Sequence, residues 1–404
     1  MKVVLGVGGG IAAYKAAELA RALMDQGARV QVVMTASARQ FIQPLTFAAL
    51  TGNKVITGLF SSQSPEDVLA SSVEHIRVAQ ENEVLVVAPA TADLMAKFTH
   101  GLADDFLTTL YLAFQGKVIL APAMNTAMWE HPATRDNVER LAARGNFILP
   151  PEEGLLACGT TGAGRLPDPQ RIADAVVTLA HPRKDLDSET ILVTAGPTQE
   201  AIDPVRFISN KSSGKMGYSL AHAAAARGAR AILVSGPTNL PDPYGVEMIR
   251  VRDAREMRDA VMGKLKDATI IIKSAAVADY FVLNQSTQKI KKTSARLSLE
   301  LDPTPDILAE VGRNKGDRLL IGFAAETQNL LEEGRRKMNT KNCDMVVANL
   351  VNQEGIGFES DRNKVTLVMS TGEVVSLPEA AKHDIAHQIL DHAMRLRLAI
   401  FSKA

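Results

Sequence analysis

The chain is poor in the features that would tie it to a metal, a membrane or nucleic acid. It has 404 residues, only 2 cysteines, 4% aromatic residues, and 45 basic against 45 acidic side chains. Two cysteines cannot form a metal cluster alone, and zero net charge provides no overall field for nucleic acid or anionic lipid. No apolar run reaches the roughly 20 residues of a membrane span, and the N-terminus has no signal-type apolar core. We therefore expect a soluble, cytoplasmic, globular protein with an aliphatic core.

Short apolar runs alternate with helical patterns in both halves of the chain. The first half starts with a strand, a glycine turn and a helix, and a similar order starts again at Ile191. Strands that alternate with helices predict doubly wound parallel sheets, so we expect an α/β protein with two Rossmann-like domains. We assign residues 1–181 to the first domain, 182–190 to a linker and 191–404 to the second domain. The predicted strands are 3–7, 30–34, 84–88, 118–121 and 147–149, then 191–195, 231–235, 269–273, 319–323 and 345–348, with a hairpin at 365–369 and 374–377.

Two stretches lack a clean period and are predicted to be loops. One is the glycine-rich EEGLLACGTTGAGRLPDP after Pro151, and the other is Val277–Thr293. Long loops inside compact domains are usually functional. For Cys158 in the first loop, two interpretations stay open: a passive loop residue, or a reactive thiol on a mobile lid. For the three lysines of Lys289–Lys292 in the second loop, the alternatives are a solvated face and a flap over phosphates.

The glycine run Gly6–Gly10 indicates a ligand-binding turn after the first strand. It does not match the dinucleotide spacing G-x-G-x-x-G, because residue 11 is Ile. The second strand is followed by the hydroxyl side chains of Thr35 and Ser37 rather than by the acid that holds the ribose of NAD. These features favour a mononucleotide such as FMN, with a merely tight strand–helix turn as the alternative.

In the second half, the stretch ILVTAGPTQEAIDPVRFISNKSSGKMG leads from a buried strand through a polar loop into a helix. This order places Lys211 and Lys215 at a helix start, where an anion is stabilised. Met216 follows Gly214-Lys215, which excludes a P-loop.

A series of short motifs runs through the chain: GGIAAYK, the segment around His75, PAMN, ACG-x-x-G-x-GR, TAGPT, DPVR-x-ISN-x-SSGKMG, AAVADY, KIKK and FAAET. Together, over nearly the whole chain, they resemble the bacterial family of bifunctional phosphopantothenoylcysteine decarboxylase and phosphopantothenate–cysteine ligase enzymes of coenzyme A synthesis. Two positions depart from the family pattern. Gly8 stands where many members have Ser, and Gln199 stands where Arg is common.

The resemblance implies that the first domain decarboxylates 4′-phosphopantothenoylcysteine to 4′-phosphopantetheine with FMN, which oxidises the thiol so that the carboxyl group can leave. It implies that His75 is the base, that Asn125 holds the substrate carboxylate and that Cys158 donates a proton. Outside such a family, a lone histidine is more often a surface residue. The implied FMN-binding residues are Gly9, Gly10, Ile11, Thr35, Ser37, Ala90 and Thr91. The implied substrate-binding residues are Met124, Asn125, Ala157, Cys158 and Arg165.

The resemblance also implies that the second domain joins 4′-phosphopantothenate to L-cysteine through an acyl-cytidylate, with CTP converted to CMP and pyrophosphate. Lys289 would neutralise charge as the acyl-cytidylate forms, and Asn210 would serve its conversion to product. Arg206 and Asn210 would contact the substrate. Mg²⁺ or Mn²⁺ would offset the phosphate charges, with no ligands assigned to it. The implied CTP-binding residues are Ala275, Asp279, Lys289, Pro305, Asp306, Ile307, Leu308, Phe323, Lys337 and Lys341.

Two other functions stay open at this point. A flavin-dependent decarboxylase of peptidyl cysteine would use the first domain on another substrate, which the ligase-like second half argues against. A non-enzymatic flavin- or nucleotide-binding regulatory module would bind without turnover, which the catalytic positions His75, Asn125, Cys158, Asn210 and Lys289 argue against. The resemblance further implies a homo-oligomer with trimeric flavin domains and dimeric ligase domains, and no nucleic-acid or membrane partner.

Overall fold

The computed structural model describes residues 1–60, 73–181, 183–291, 298–326, 329–350 and 360–401. The chain forms two compact units, Met1–Ala180 and His181–Ala404. Residues of the predicted linker contact the second unit: Asp185 pairs with Arg227, and the first strand of that unit begins at Thr190. In the described part of the chain, no helix is both long and apolar enough to cross a membrane.

The first unit is built on a parallel sheet of five strands in the order β2-β1-β3-β4-β5. Its inner strands are runs of Val, Leu and Ile that are buried on both faces, as a sheet covered by helices on both sides requires. The strand order reverses between β1 and β3, so a crevice opens there at the carboxyl ends of the strands. The strands are β1 (Lys2–Val7), β2 (Arg29–Met34), β3 (Val84–Ala90), β4 (Lys117–Pro122) and β5 (Phe147–Ile148).

Eight α-helices are described in this unit. The stretch between β3 and β4 forms two helices, because the chain turns at Gly101 with a left-handed φ of 68° and starts again at Asp105, whose side chain caps the next helix. The helices are α1 (Lys15–Asp25), α2 (Pro44–Thr51), α3 (Glu74–Glu81), α4 (Ala92–His100), α5 (Phe106–Ala113), α6 (Thr126–Glu130), α7 (Pro132–Ala143) and α8 (Pro169–Ala180).

The loop predicted after Pro151 is in fact an antiparallel hairpin. Strand β6 (Glu152–Leu155) pairs with β7 (Thr161–Arg165), and Cys158 lies in the turn between them. The prediction of an irregular stretch was therefore wrong, although the position of Cys158 outside regular structure was correct.

The second unit contains an eight-stranded sheet in the order β12-β11-β8-β13-β16-β17-β18-β19. The first six strands are parallel, and the hairpin predicted at 365–369 and 374–377 adds the last two in antiparallel orientation. The strand order reverses between β8 and β13. The strands are β8 (Thr190–Ala195), β11 (Arg230–Ser235), β12 (Val246–Arg250), β13 (Ile270–Lys273), β16 (Leu319–Glu326), β17 (Met345–Leu350), β18 (Arg362–Met369) and β19 (Val374–Ala381). The α/β, doubly wound fold class is confirmed.

Helices cover both faces of this sheet. Helices α9 (Lys215–Ala226) and α13 (Lys382–Phe401) pack on the face that carries Ile191, Ile270 and Ile321. The opposite face is covered by α10 (Ala254–Lys264), α11 (Ile307–Asn314) and α12 (Leu330–Lys341). The helices on both faces border the carboxyl edge of the sheet, where ligands bind in folds of this kind.

Two small hairpins interrupt the alternating pattern of the second unit. Strand β9 (Gln199–Ala201) pairs with β10 (Phe207–Ser209), and β14 (Tyr280–Val282) pairs with β15 (Leu301–Pro303). The predicted loop Val277–Thr293 therefore contains a strand. Lys292 and Thr293 lie outside the described residues.

Candidate functional site

The glycine turn of the first unit lies at the point where the strand order reverses. A Cβ atom on Gly9 would be 2.2 Å from the Cβ of Ser37, and one on Gly8 would be 2.3 Å from the carbonyl oxygen of Pro89. No side chain fits at either position without a backbone shift, so the loops after β1, β2 and β3 approach one another through glycine.

The hydroxyl groups around this turn have different roles. Thr35 Oγ1 accepts a hydrogen bond from Ala38 N at 3.1 Å, and Thr91 Oγ1 accepts one from Leu94 N at 3.2 Å, so both cap turns. Ser37 is exposed. Of the remaining predicted residues, Ala90 is buried, Gly9 and Gly10 are half-buried, and Ile11 is 62% exposed. Exposed main chain and Ser37 are therefore the groups that this turn offers to a ligand.

His75 lies in the first turn of α3 and is half-buried. Its Nδ1 atom is buried and makes no hydrogen bond within the described part of the chain. A buried polar atom without a partner costs about 1–3 kcal/mol. This cost is consistent with a partner that binds from outside the chain, such as a cofactor or substrate.

Asn125 and Cys158, which are 33 residues apart in sequence, are in contact. Asn125 Nδ2 donates a hydrogen bond to Cys158 Sγ at 3.2 Å, while its Oδ1 accepts one from Ala127 N at 2.9 Å and so caps α6. Thr160 Oγ1 lies 3.1 Å from the same sulfur. Hydrogen bonds from Thr160 and then Asn125 lower the pKa of the exposed Cys158 thiol below its usual value, because they stabilise the thiolate.

The hairpin that carries Cys158 is fixed onto the segment that carries Asn125. Met124 N donates to Gly164 O at 2.9 Å, and a Cβ atom on Gly164 would be 2.2 Å from the Met124 carbonyl oxygen. Gly164 also has a φ of 148°, which favours glycine. Ala157 is exposed in the hairpin turn, and Arg165 is exposed at the end of β7. The structure thus brings Asn125 and Cys158 together, while Arg165 lies at the other end of the hairpin, opposite Glu152.

A cleft of about 480 Å³ opens in the second unit at the carboxyl ends of β13, β16 and β17. It lies at the reversal of the strand order between β8 and β13, where ligands are expected. Five predicted residues line it: Asn210, Ala275, Asp279, Phe323 and Lys337. Asn210 Nδ2 donates to Val277 O at 3.0 Å, and Lys337 Nζ donates to Phe323 O at 2.7 Å.

Other predicted nucleotide-binding residues do not line this cleft. Asp306 caps α11 by accepting from Ala309 N at 2.9 Å, and it also accepts from Lys341 Nζ. Burial would raise the pKa of Asp306, but Lys341 and the helix amide hold it below its usual value. Pro305, Ile307 and Leu308 belong to the same helix start. These residues form a separate group in which Asp306 and Lys341 pair with each other.

Neither of the predicted cations Arg206 and Lys289 lines the cleft. Arg206 donates to Ile290 O at 2.5 Å and lies 3.3 Å from Asp203 Oδ2. Asp203 in turn accepts from Ile290 N at 3.1 Å. Burial would raise the pKa of Asp203, but the amides of Val205, Ile290 and Arg206 lower it. The turn of the β9–β10 hairpin thus clamps the loop that presents the exposed Lys289, which does not line the cleft.

Three further side chains of the cleft were not predicted from the sequence. Asn349, Asn363 and Lys382 line it, and they belong to β17, β18 and the start of α13. No motif marks these positions: Asn349 lies at the carboxyl end of the parallel strand β17, and the antiparallel strands β18 and β19 bring Asn363 and Lys382 to the same edge. In the described ranges, no group of three or more His, Cys, Asp or Glu side chains could hold a metal ion.

Comparisons with known proteins extend over both units. Residues 1–181 match the family "Flavoprotein", and residues 186–396 match the "DNA/pantothenate metabolism flavoprotein C-terminal domain". The chain is 45% identical over 401 residues to the coenzyme A biosynthesis bifunctional protein CoaBC of Bacillus subtilis (strain 168), covering 98% of this chain and 97% of the relative. It is 43% identical over 394 residues to the CoaBC protein of Escherichia coli (strain K12), covering 96% of each. A solved structure of a CoaBC C-terminal domain is 42% identical and covers 52% of this chain and 97% of its own, with a TM-score of 0.45.

Proposed function

The chain belongs to the family of bifunctional coenzyme A biosynthesis proteins CoaBC, and we propose that its two units catalyse successive steps in the cytoplasm. The second unit ligates 4′-phosphopantothenate and L-cysteine at the expense of CTP. The first unit then decarboxylates the 4′-phosphopantothenoylcysteine product to 4′-phosphopantetheine with FMN. The observation that carries this proposal is the contact between Asn125 and Cys158 on a hairpin fixed beside the crevice of the flavoprotein unit.

In the ligase step, the carboxylate of the acid attacks the α-phosphorus of CTP and pyrophosphate leaves. The cysteine amine then attacks the acyl carbon, and CMP leaves. Asn210, held by Val277 O at the rim of the cleft, orients the acyl group for this attack. Lys289, on the loop that Asp203 and Arg206 hold, offsets negative charge as the acyl-cytidylate forms.

The nucleotide binds with its base and ribose near Phe323 and Lys337, on the side of the cleft that faces α12. Mg²⁺ enters with the triphosphate, as is usual for this ion, and Asp279 is a carboxylate of the cleft that could complete its coordination. The ion pair between Lys341 and Asp306 stabilises the start of α11 beside this site.

In the decarboxylation step, the residues present fit a flavin. The glycine turn lets the loops after β1, β2 and β3 converge at the strand reversal beside the exposed Ser37, and the buried Nδ1 of His75 makes no hydrogen bond in the described part of the chain. Bound FMN would supply the capacity to accept two electrons from the substrate thiol and to return them. His75 takes up a proton, Asn125 holds the substrate carboxylate through its amide, and Cys158 delivers a proton from Sγ. The lowered pKa of Cys158 favours this delivery.

We expect the assembled protein to be a homo-oligomer, with trimeric flavoprotein units and dimeric ligase units. Large apolar side chains are exposed on both units, among them Ile11, Tyr14 and Phe41 on the first and Val205 and Phe207 on the second. Such side chains are typical of surfaces that a second copy covers. Light scattering of the full-length chain measures the assembly, and a monomer at micromolar concentration would contradict it.

The function is tested with purified full-length protein. We expect a yellow protein that releases pyrophosphate from CTP and carbon dioxide from the product, when given 4′-phosphopantothenate and cysteine. Cys158→Ser should release pyrophosphate at the wild-type rate but form 4′-phosphopantetheine at least about 100-fold more slowly, since a positioned proton donor contributes 10² or more. Thr161→Ser, at an exposed neighbour in the same hairpin, is the control.

The flavin, ligase and thiol assignments are contradicted by different results. A colourless protein that FMN does not reconstitute contradicts the flavin assignment. Absence of CTP-dependent pyrophosphate release contradicts the ligase assignment. Normal formation of 4′-phosphopantetheine by Cys158→Ser contradicts the role of the thiol.

A further inference from the structure

Lys273 is a buried lysine beside the cleft that the proposed reaction does not use. It is the last residue of β13, and the next two residues, Ser274 and Ala275, line the cleft. Lys273 follows Ile271 by two residues, so its side chain lies on the face of the sheet that α10, α11 and α12 cover. The residue is 7% exposed, and its Nζ atom is buried and makes no hydrogen bond within the described part of the chain.

This position is unfavourable for a charged group. Burial lowers the pKa of Lys273 to about 7, and the carboxylate of Asp306 acts in the opposite direction. A buried ammonium group that makes no hydrogen bond destabilises the fold, whereas a methionine of similar length would not. Residues that reduce stability in this way are frequent at functional sites. Lys273 is therefore a candidate for a role in the reaction, and Asp306 is the side chain through which it can act.

Asp306 interacts with lysines on two elements. Its Oδ1 atom accepts a hydrogen bond from Ala309 N at 2.9 Å and caps α11, while its Oδ2 atom accepts one from Lys341 Nζ on α12. The side chains of Asp306 and Lys341 are 50% and 30% exposed, so water screens this ion pair and Lys341 can exchange it for another anion. The charge of Lys337 acts on the same carboxylate. Asp306 is thus attracted by two lysines of α12 and, from the interior, by Lys273.

The exchange would take Lys341 toward the cleft. Lys337 and Lys341 have i, i+4 spacing on α12 and so lie on one face of this helix. Lys337 lines the cleft, where the proposed function places the nucleotide. A phosphate group of that nucleotide competes with Asp306 for the ammonium group of Lys341. When Lys341 leaves, the carboxylate needs another cation close by, and Lys273 is the buried one that acts on it.

We propose that Lys273 is a positioning residue of the ligase site, which stabilises the charge of Asp306 when Lys341 exchanges that carboxylate for a phosphate of the nucleotide. This inference rests on the proposed ligase function, and it involves no covalent step. Lys273 acts on the affinity for the nucleotide through Asp306 rather than by contact with the ligand, since its Nζ atom is enclosed. Without this lysine, Lys341 would stay paired with Asp306 and would bind the phosphate less well.

The test is a steady-state assay of pyrophosphate release from CTP by the full-length protein. Lys273→Met keeps the length of the side chain and removes its charge. We expect the KM for CTP to rise by about 10-fold, the effect of weakening one charge-assisted contact, with kcat and the KM for 4′-phosphopantothenate within about twofold of wild type. The same variant should unfold at a higher urea concentration, because a buried charge is removed. A residue that merely supports the fold would lose stability instead.

Lys315→Met is the matched control. Lys315 follows α11 and pairs with Asp344 at 2.7 Å, with both side chains 13% exposed, so it is a largely buried lysine that has a partner in the fold. We expect this variant to unfold at a lower urea concentration and to keep the wild-type KM for CTP.

Asp306→Asn tests the path through Asp306. Asparagine also caps helices, so the start of α11 is kept while the charge is removed. If Lys273 acts through this carboxylate, Lys273→Met should no longer change the KM for CTP in the Asp306→Asn background.

The same rise of the KM in both backgrounds, or an unchanged KM in Lys273→Met, would overturn the inference and leave the ligase function intact. A Lys273→Met protein that does not fold would overturn it too, because the lysine would then be required for the fold itself. If the wild type releases no pyrophosphate from CTP, the proposed function fails instead.

Discussion

The two cysteines of the chain show how strongly single neighbours determine the chemistry of a residue. Cys343 is buried beside the sheet of the second unit, and burial raises the pKa of its thiol to about 12. Cys158 is exposed and accepts hydrogen bonds from Thr160 and Asn125, which lower its pKa. A chemical probe of thiolates at neutral pH should therefore react with Cys158 alone.

Thr160→Val tests the origin of this difference. The variant removes the hydroxyl group that contributes most to the lowered pKa of Cys158, so the pH profile of thiol alkylation should shift to higher pH. Cys343 does not contribute over this range because its thiol stays protonated. Thr161→Val, next to it on β7, is the control and should leave the profile in place. An unchanged profile in Thr160→Val would show that Thr160 does not stabilise the thiolate.

Some of these residues could be predicted from the sequence and others could not. Asn125 and Cys158 lie in short motifs that follow strands or glycine-rich segments, and such motifs can be read locally. The resemblance implies a substrate contact for Arg206, and no local pattern predicts the hydrogen bond that its guanidinium donates to Ile290 O. Lys382 has no local signal, because its place in the cleft depends on an antiparallel strand pair that lies before it in the chain.

At the scale of the element, the β6–β7 hairpin shows why the sequence pattern failed. A strand is recognised by alternating apolar side chains that face a core. Here β7 packs closely on the segment 124–126, with Gly164 against the Met124 carbonyl oxygen and Gly162 against the Thr126 side chain, so glycines occupy the places where apolar side chains would stand. The alternation is lost and the stretch resembles a loop. The parallel strands, in contrast, are buried on both faces and keep the apolar runs that predicted them.

Gly164→Ala tests how far the hairpin depends on this contact. The new methyl group would meet the Met124 carbonyl oxygen, and the φ of 148° is unfavourable for alanine. The hairpin should move away from Asn125, and decarboxylation should fall by about 100-fold, the effect expected of a misplacement near 1 Å. Pyrophosphate release from CTP should not change. Gly58→Ala, in the same unit with open space around it, is the control; equal loss in both variants would exclude the specific contact as the cause.

At the scale of the whole molecule, a network of ion pairs around Arg227 holds the first residues of the second unit against its helices. Arg227, at 1% exposure of its side chain, makes two hydrogen bonds to Asp185, at 2.9 and 2.6 Å, and lies 3.0 Å from Asp391 on α13. Arg227 lowers the pKa of Asp185 to about 2. Because the pKa is lowered in the folded state, the pair stabilises the fold above the usual carboxyl pKa, and this stabilisation is lost as the pH falls toward 2.

Arg227→Met should reduce the free energy of unfolding of the second unit at pH 7 by about 2 kcal/mol, less than for a fully buried pair because both carboxylates are partly exposed. Urea unfolding followed by circular dichroism measures this, and the difference from wild type should shrink in acid. Arg230→Met, which removes an exposed pair with Glu247, should cost at most about 0.5 kcal/mol. A similar loss in both variants would contradict a special role of the Arg227 network.

The clamp on Ile290 has a consequence for how this enzyme can vary. Asp203 and Arg206 grip only the amide and carbonyl of residue 290, so the identity of its side chain is irrelevant to the grip. In a mutational library, substitutions at residue 290 should therefore show no correlation with substitutions in the β9–β10 hairpin. Nearly every amino acid should be accepted at residue 290. Proline is the exception, because it has no amide hydrogen to donate to Asp203. A single Ile290→Pro change should therefore release the loop that carries Lys289 without altering any catalytic group.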